Sequence, residues 1–357
     1  MGPIRIAVVG AGAFGRNHLR VYRELETAHP ELVQLTGLVD ESATTRDEAA
    51  ARYGIPAFGS VTELLTAGLK LDAASACVPT VHHASVAELL LNAGLDVLIE
   101  KPFAASLAEA DRVLALAGSL GRIVQIGHLE RFNPAVTAVA KRLNNPMFFE
   151  AHRLSIFTPR SLDVDVVLDL MIHDLDVVLS LTNSPVREVR AVGLAVLSRK
   201  VDIANVRVEF DSGCVANFTA SRVSTEQVRK VRLFQPHQYL SLDFARQELL
   251  SIDVDPAAAA AFLSRSSPPA AASAGASGAA LQHPSAGLNL QKFDLTRAEP
   301  LRLELEDFLR AVRTRTPPRV TGEAGRAALS LALEINREIK EHAQRAGLSV
   351  ISSPLSV

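Results

Sequence analysis

Residues 4–15 read Ile-Arg-Ile-Ala-Val-Val-Gly-Ala-Gly-Ala-Phe-Gly, and this stretch decides the fold. A β-branched apolar run from Ile4 to Val9 leads into three closely spaced glycines, and a helical pattern follows from Phe14 to Glu26. Glycines at this spacing allow a tight turn, a close approach of a pyrophosphate, and close packing of the helix on the strand. The N–H groups at the start of the helix then bind the negative charge. The stretch therefore predicts a dinucleotide site at Gly10, Gly12, Ala13, Phe14 and Gly15.

An acidic residue, Asp40, directly follows the second expected strand, Val33 to Val39. A carboxylate at this position accepts hydrogen bonds from both hydroxyls of an adenosine ribose and repels a 2′-phosphate. We therefore expect NAD as the cofactor rather than NADP. The alternative role for Asp40 is an N-cap for the helix that follows.

Strands and helices alternate through the first third of the chain. Further strands are expected at Ala73–Val78, Val97–Ile99 and Ile123–Ile126, and further helices at Ala43–Arg52, Ser85–Asn92 and Ala108–Ala117. Ser106 with Glu109 forms a capping-box pattern ahead of the last helix. This alternation predicts a doubly wound parallel sheet, so we expect residues 1–127 to form a Rossmann domain.

Strands without intervening helices dominate after Gly127. They are expected at Phe148–Ser155, Val186–Leu197, Ile203–Phe210, Cys214–Ser221, Val228–Phe234 and Tyr239–Asp243, and helices at Pro134–Leu143, Val166–Leu181, Leu301–Val312 and Glu323–Arg345. This pattern predicts an open, mostly antiparallel sheet with helices on one face, in a substrate-binding and oligomerisation domain of residues 128–357. An uncovered sheet face favours a homodimer or homotetramer formed through it.

A segment poor in large side chains interrupts this second domain. Between Pro256 and Gly287, 26 of 32 residues are Ala, Gly, Ser or Pro. Such a segment buries too little apolar surface to offset its ordering entropy. We therefore expect residues 254–291 to be a flexible insertion, within which Ala257 to Leu263 favours a transient helical turn.

The charge and cysteine content exclude several classes of function. The formal net charge is −2, and no run of Lys or Arg offers a surface for nucleic acid or an anionic membrane. The apolar stretch Val86–Ile99 contains Glu88, Asn92 and Asp96, so it does not read as a membrane span. Two cysteines do not make a disulfide framework or a multi-cysteine metal site, so a cytoplasmic location without a bound metal is expected.

Several motifs together resemble one family of oxidoreductases. The glycine turn, Val78-Pro79-Thr80 with His83, Glu100-Lys101-Pro102, and Asp169-Leu-Met-Ile-His173 resemble the glucose–fructose oxidoreductase, inositol dehydrogenase and MocA-like family. The resemblance implies a Rossmann domain followed by an α/β domain with an open sheet. It also implies oxidation of a sugar hydroxyl and cofactor contacts at Val78, Pro79, His83, Glu100 and Lys101.

Oxidation of a secondary alcohol needs a base for the hydroxyl proton in addition to the nicotinamide. Asp169 and His173 are four residues apart and so share one helical face, which makes His173 the candidate base and Asp169 its orienting partner or a sugar-hydroxyl acceptor. Lys101 follows a strand at the sheet edge where such folds bind ligands, and its ammonium stabilises alkoxide charge. The alternatives are a locally paired histidine on an exposed stripe and a solvated surface lysine.

A narrower resemblance is carried by the stretches at residues 128–134 and 166–174. These resemble the bacterial and archaeal UDP-N-acetylglucosamine 3-dehydrogenases, a subgroup whose keto product is aminated and in bacteria feeds lipid A assembly. The candidate substrate contacts beyond the catalytic residues are Asn133, which lies in the first of these stretches, and Arg131, Arg153 and Arg160, whose guanidinium groups pair bidentately with phosphate. For each arginine, a salt bridge within the protein is the alternative.

Two other functions remain open at this stage. A dehydrogenase of a free cyclitol or monosaccharide would use the same catalytic residues with a small closed pocket. A dinucleotide-binding regulator without catalysis would need none of the three residues Lys101, Asp169 and His173, and their joint presence argues against it.

Overall fold

The computed structural model describes residues 2–157, 164–264 and 287–348, which divide into two compact units. The first unit consists of residues 2–132 and 298–334, and the second consists of 133–297 and 335–348 apart from the two gaps.

The first unit is built on a six-stranded parallel sheet with the order β3-β2-β1-β4-β5-β6. Its strands are β1 (Ile4–Val9), β2 (Val33–Val39), β3 (Ala57–Phe58), β4 (Ala73–Ala76), β5 (Asp96–Glu100) and β6 (Val124–Gly127). The helices between them are α1 (Ala13–Ala28), α2 (Ala43–Tyr53), α3 (Val61–Thr66), α4 (His83–Asn92) and α5 (Leu107–Leu120). This strand order is that of the dinucleotide-binding fold, which confirms the predicted doubly wound parallel sheet.

The second unit is built on an eight-stranded sheet with the order β14-β13-β12-β11-β7-β10-β9-β8. Its strands are β7 (Phe148–Ile156), β8 (Val186–Leu194), β9 (Ile203–Phe210), β10 (Val215–Ser224), β11 (Val228–Gln235), β12 (Gln238–Asp243), β13 (Glu248–Val254) and β14 (Leu288–Phe293). Its helices are α6 (Pro134–Ala140), α7 (Ile172–Thr182) and α8 (Pro256–Leu263). The β7–β10 pair is parallel and the other pairs are antiparallel, so the predicted open, mostly antiparallel sheet is confirmed.

Two later helices complete the described chain, α9 (Pro300–Thr314) and α10 (Gly322–Arg345). Helix α9 buries an apolar stripe in the core of the first unit, formed by Leu301, Leu305, Phe308, Leu309 and Val312. The sequence pattern places this segment in the second domain, whereas the structure returns it to the first. The reason is long-range packing: the stripe completes the core around β1, a contact that local periodicity does not specify.

The expected flexible insertion, residues 254–291, contains regular structure at both ends. Helix α8 is a full element, with Asp255 accepting from the N–H groups of Ala257 and Ala258. Strand β14 begins at Leu288 and pairs antiparallel with β13. Helix α8 coincides with the helical turn that the sequence favours at Ala257 to Leu263, whereas the low-complexity composition hides β14. Residues 265–286 lie outside the described residues, and the expectation for them stays a prediction.

No helix in the described part of the chain combines the length and the apolar character that crossing a bilayer requires.

Candidate active site

The turn after β1 shows why its glycines are needed. Gly10 has a φ of +91°, in the left-handed region, and a Cβ there would lie 2.6 Å from the carbonyl oxygen of Cys77. A Cβ at Gly15 would lie 1.8 Å from the carbonyl oxygen of Gly10, whereas a Cβ at Gly12 would meet nothing within 4 Å. The first and third glycines are therefore required by the chain's own packing, and the second faces open space.

Helix α1 starts in this turn with an N-terminus suited to an anion. Gly12 is the N-cap, no side chain caps the helix, and its first turn holds no acidic residue. Ala13 and Phe14 are exposed. Because the first N–H groups of a helix lack partners within it and carry the positive end of its dipole, this turn fits the pyrophosphate of a dinucleotide.

Asp40 is fixed beside the glycine turn. Its Oδ2 accepts from the backbone N–H of Ala11 at 2.7 Å, and its Oδ1 accepts from that of Ser42 at 2.9 Å. Ser42 is the N-cap of α2, with its Oγ accepting from Thr45 N–H at 3.3 Å, so the N-cap alternative for Asp40 is wrong. Each carboxylate oxygen retains a second lone pair, so Asp40 can also accept ribose hydroxyls.

Alanine substitutions at two of these glycines are expected to separate folding from cofactor binding. Gly15→Ala should lower the free energy of unfolding by about 3 kcal/mol, because the new methyl group overlaps the Gly10 carbonyl. Gly12→Ala should unfold at the wild-type temperature but bind NAD about tenfold more weakly, because its methyl group occupies the open space through which the pyrophosphate approaches the helix N-terminus. A tenfold loss is the scale of one weakened hydrogen bond to a charged group. Thermal unfolding without cofactor and calorimetric titration with NAD measure the two effects. Equal loss of stability in both variants would contradict the assignment of Gly12 to the ligand.

The Asp40→Ser substitution is expected to erode the preference for NAD over NADP. It removes the negative charge that repels a 2′-phosphate, and the Arg46 guanidinium already lies 3.5 Å from the Asp40 carbonyl oxygen. NAD affinity should fall about tenfold, the usual scale for a lost charge-assisted hydrogen bond, while NADP affinity rises. Glu41→Ser, which removes the same charge from the exposed neighbouring position, is the control in parallel titrations. An unchanged NAD-to-NADP ratio in Asp40→Ser would contradict the role of the carboxylate.

The Val78-Pro79 and Lys101-Pro102 segments are joined by one imidazole. His83 is buried, with Nδ1 2.8 Å from the carbonyl oxygen of Pro102 and Nε2 2.9 Å from that of Val78. Burial lowers the pKa of His83, although both carbonyls oppose this shift. His83 therefore shapes the loop around the site instead of facing solvent. The Lys101-Pro102 peptide bond is cis, which the sequence does not specify.

Glu100 lies in the first unit with a partner that the sequence analysis missed. It is buried, its Oε1 lies 2.9 Å from His18 Nε2, and its Oε2 accepts from Lys101 N–H at 3.3 Å. His18 is fully buried on α1, one turn after Phe14, and no motif singles it out. This pair holds the backbone of half-buried Lys101 at the end of β5; a direct contact between Glu100 and the cofactor stays a prediction.

In the second unit, Asp169 and His173 lie at the start of the α7 segment. Residues Val167–Met171 form a π-helical turn that contains Asp169, and α7 continues from Ile172. Both Asp169 and His173 are half-buried, and π-turns within helices are frequent at functional sites. The sequence pattern predicts one regular helix from Val166 to Leu181, so the π-turn is a local departure from that prediction.

Two expected substrate contacts are already bonded inside the second unit. Arg153 is buried and donates from Nε and Nη2 to Asp174 at 2.9 and 2.8 Å. Asn133 caps α6, accepting from Ala135 N–H at 3.1 Å, and donates to the Phe244 carbonyl oxygen at 3.1 Å. Arg153 therefore forms a salt bridge within the protein, which was the alternative to a substrate contact. The substrate roles of Arg153 and Asn133 stay predictions.

The other two candidate substrate contacts are Arg131 and Arg160. Arg131 is half-buried in the short turn Leu129–Phe132 of the first unit. Arg160 lies outside the described residues, so its predicted role has no structural test. Within the described part of the chain, no group of three or more His, Cys, Asp or Glu side chains could hold a metal ion.

A parallel sheet of dinucleotide-binding order, with the glycine turn and Asp40 at its edge, defines a Rossmann-fold, NAD-dependent oxidoreductase. Residues 4–128 match the model of an oxidoreductase family with an NAD-binding Rossmann fold, GFO_IDH_MocA, and residues 112–234 match the GFO/IDH/MocA C-terminal domain. The chain belongs to the GFO/IDH/MocA family.

The relatives of the chain include one that is similar over almost its whole length. It is 36% identical to a UDP-N-acetylglucosamine 3-dehydrogenase of Acidithiobacillus ferrooxidans over 96% of this chain and 99% of that protein. A solved structure of that enzyme superposes with a TM-score of 0.83 at 35% identity, covering 97% of this chain and 100% of the other. An inositol 2-dehydrogenase of Leifsonia xyli is 31% identical over 52% of this chain and 56% of its own length.

A more distant structure shows the fold alone. A dehydrogenase of Bordetella pertussis, solved in complex with NADH and UDP-GlcNAcA, superposes with a TM-score of 0.73 at 17% identity, covering 98% of this chain and 99% of that one.

Proposed function

We propose that this protein oxidises the 3-hydroxyl of UDP-N-acetylglucosamine to the 3-keto sugar nucleotide, with NAD as the oxidant. The observation that carries the proposal is the 36% identity to a UDP-N-acetylglucosamine 3-dehydrogenase over 96% of the chain. The placement of Asp40 beside the glycine turn supports NAD.

In this reaction the C–H and O–H bonds of the secondary alcohol break and a C=O bond forms. The nicotinamide, when bound, supplies the acceptor for the hydride. An imidazole nitrogen of His173 accepts the hydroxyl proton, with Asp169 orienting the ring or accepting a second sugar hydroxyl. The Lys101 ammonium donates to the reacting oxygen and stabilises its developing negative charge.

We propose Arg131, Arg153 and Arg160 as the residues that bind the diphosphate of the substrate. Because the Arg153 guanidinium donates two hydrogen bonds to Asp174, a phosphate there would have to compete with that carboxylate. Bidentate pairing of guanidinium with phosphate oxygens is the expected contact.

Isotopic labelling tests both the substrate and the position oxidised. The purified protein is incubated with NAD and UDP-N-acetylglucosamine carrying deuterium at carbon 3, and the reduced cofactor is analysed by mass spectrometry. Deuterium in the NADH supports the proposal. NADH without deuterium means that another hydroxyl is oxidised, and the absence of NADH means that this sugar nucleotide is not the substrate.

A free cyclitol or monosaccharide is the second candidate substrate. It is favoured by the 31% identity to an inositol 2-dehydrogenase, although that similarity covers only 52% of the chain. Incubation with myo-inositol or free N-acetylglucosamine in place of the sugar nucleotide distinguishes the two candidate functions, because only a dehydrogenase of free sugars or cyclitols forms NADH from these compounds. Tight NAD binding without NADH formation from any of these compounds would instead indicate a regulator.

A second copy of the chain is proposed to cover the open face of the eight-stranded sheet. An aromatic row crosses this face, with ring centroids 5.6 Å apart for Phe148–Phe234 and 5.0 Å apart for Phe234–Tyr239, and Phe234 is 38% exposed. Light scattering of the wild type and of Phe234→Glu tests this homodimer or homotetramer.

As in the subgroup that the sequence resembles, the keto product would pass to an aminotransferase in the cytoplasm and towards lipid A.

A further inference from the structure

A buried arginine on the sheet lies against the π-turn that carries Asp169. Arg222, on β10, has a side chain only 6% exposed, and its Nη2 is 3.9 Å from Asp169 Oδ2. The same Nη2 donates to the carbonyl oxygen of Val164 at 2.6 Å, just before the π-turn. The guanidinium is thus fixed between a backbone carbonyl and the Asp169 carboxylate.

A second carboxylate, Asp202, anchors the other side of this arginine. Asp202 is fully buried, its Oδ1 lies 3.9 Å from Arg222 Nε, and its carbonyl oxygen accepts from Arg222 N–H at 3.0 Å. Its Oδ2 accepts from three successive backbone N–H groups, those of residues 196–198, and its Oδ1 accepts from Ser198 Oγ. Burial raises the pKa of Asp202, but these hydrogen bonds outweigh burial and hold the pKa below its ordinary value.

The result is an alternating row of charges, Asp202, Arg222 and Asp169, that ends one helical turn before His173. A guanidinium is always protonated in proteins, so the positive charge of Arg222 offsets the negative charge of a carboxylate about 4 Å away. The loop that binds Asp202 also contacts the π-turn, since the Val201 carbonyl oxygen accepts from Val166 N–H at 2.9 Å. The loop and the arginine therefore hold the same turn by a backbone bond and a side-chain ion pair.

We propose that Arg222, anchored by Asp202, is a positioning residue that holds Asp169 oriented towards its catalytic partner and offsets the negative charge of its carboxylate. The inference rests on the proposed role of Asp169 and His173 in alcohol oxidation. Arg222 acts through Asp169 and needs no contact with sugar or cofactor. A residue on the sheet, Arg222 of β10, would thus affect the activity of the motif on the helix above it.

The first test requires no cofactor and no turnover. Imidazole signals are titrated by NMR in the cofactor-free protein, and the His173 signal is assigned by its loss in His173→Gln. In Arg222→Gln the charge of Asp169 is no longer balanced, so the pKa of His173 should rise by about one unit, the usual scale for a neighbouring charge. Arg222→Lys, which keeps the positive charge, should restore most of the wild-type value.

The second test uses the pH profile of turnover. Arg222→Gln should lower kcat about 100-fold, as expected when a catalytic group is misplaced by about 1 Å. The acidic limb of kcat/KM should move to higher pH, and Arg222→Lys should recover part of both effects. Arg187→Gln, on exposed β8, removes the same charge and should behave as wild type.

The outcomes separate this inference from the proposed function. A folded Arg222→Gln protein with the wild-type His173 pKa and acidic limb overturns the inference, even if it is less stable, because that pattern indicates packing alone. A wild-type protein that makes no NADH from any sugar overturns the proposed function, while the NMR titration still decides whether Arg222 and Asp169 are coupled to His173.

Discussion

Replacing Lys101 by methionine is expected to lower kcat about 1,000-fold, because one preorganised donor to a developing oxyanion contributes on this scale. Methionine retains the apolar length of lysine but removes the ammonium, so the half-buried position remains filled. NAD affinity should stay at the wild-type value, because the proposed contacts to the pyrophosphate and ribose lie at the glycine turn and Asp40, elsewhere along the sheet edge. Steady-state kinetics and calorimetric titration with NAD measure the two quantities.

Two comparisons make the Lys101 result specific. Lys70→Met removes an ammonium from an exposed position of the same unit and should leave kcat unchanged. Lys101→Arg keeps the charge but presents a planar fork instead of a compact ammonium, so it should recover little activity. Wild-type kcat in Lys101→Met would remove Lys101 from the reaction. A loss of NAD binding together with kcat would reassign it to the cofactor.

The Rossmann half was predictable because its signals are local. The run Ile4–Val9, the glycine spacing and Ser106 with Glu109 each specify structure within a few residues, and the capping bond from Glu109 N–H to Ser106 Oγ is present at 3.3 Å. The two-residue strand β3 was missed, because two residues carry no periodicity. Helix α9 was assigned to the wrong half, because its apolar stripe specifies burial without specifying the partner.

The site was predictable where a motif specifies chemistry and not where tertiary packing creates it. Gly10 and Gly15 have the packing roles that their spacing indicates, and Asp40 lies beside the glycine turn, while its contact with a ribose stays a prediction. His18 and Arg222 were missed, because a histidine inside a helix and an arginine inside a strand have ordinary surface roles in most sequences. Each becomes informative only when folding buries it beside a carboxylate that is distant in sequence. His18 lies beside Glu100, 82 residues away, and Arg222 lies beside Asp169, 53 residues away.

The sequence does not distinguish arginines that bind a ligand from arginines that are buried in ion pairs within the protein. Arg153 and Arg222 are both buried and paired with carboxylates, although only Arg153 stood out in the sequence, as a diphosphate contact. A buried arginine is retained only with a partner, because an unpaired buried charge is strongly destabilising. Burial therefore distinguishes a framework arginine from one available to a ligand, and the sequence does not report burial.

Replacing His173 by glutamine is expected to lower kcat about 1,000-fold, because positioned general bases contribute 100- to 10,000-fold. Glutamine preserves a polar side chain on the first turn of α7 but does not accept the hydroxyl proton near neutral pH. The remaining activity should rise steadily with pH, since solvent hydroxide then replaces the missing base. The bend in the acidic limb of kcat/KM, which marks the pKa of the base in the free enzyme, should disappear.

The pH profile of kcat/KM distinguishes the role of His173 as the base from that of its neighbour Asp169. Asp169→Asn should also lower kcat, but it retains His173 and therefore an acidic limb. Because the remaining imidazole has lost an adjacent negative charge, that limb should move to lower pH. His29→Gln, at a side chain 55% exposed beyond α1, should keep the wild-type profile. An acidic limb that persists unchanged in His173→Gln would assign the base to another group, and Lys101 would be the next to examine by the same profile.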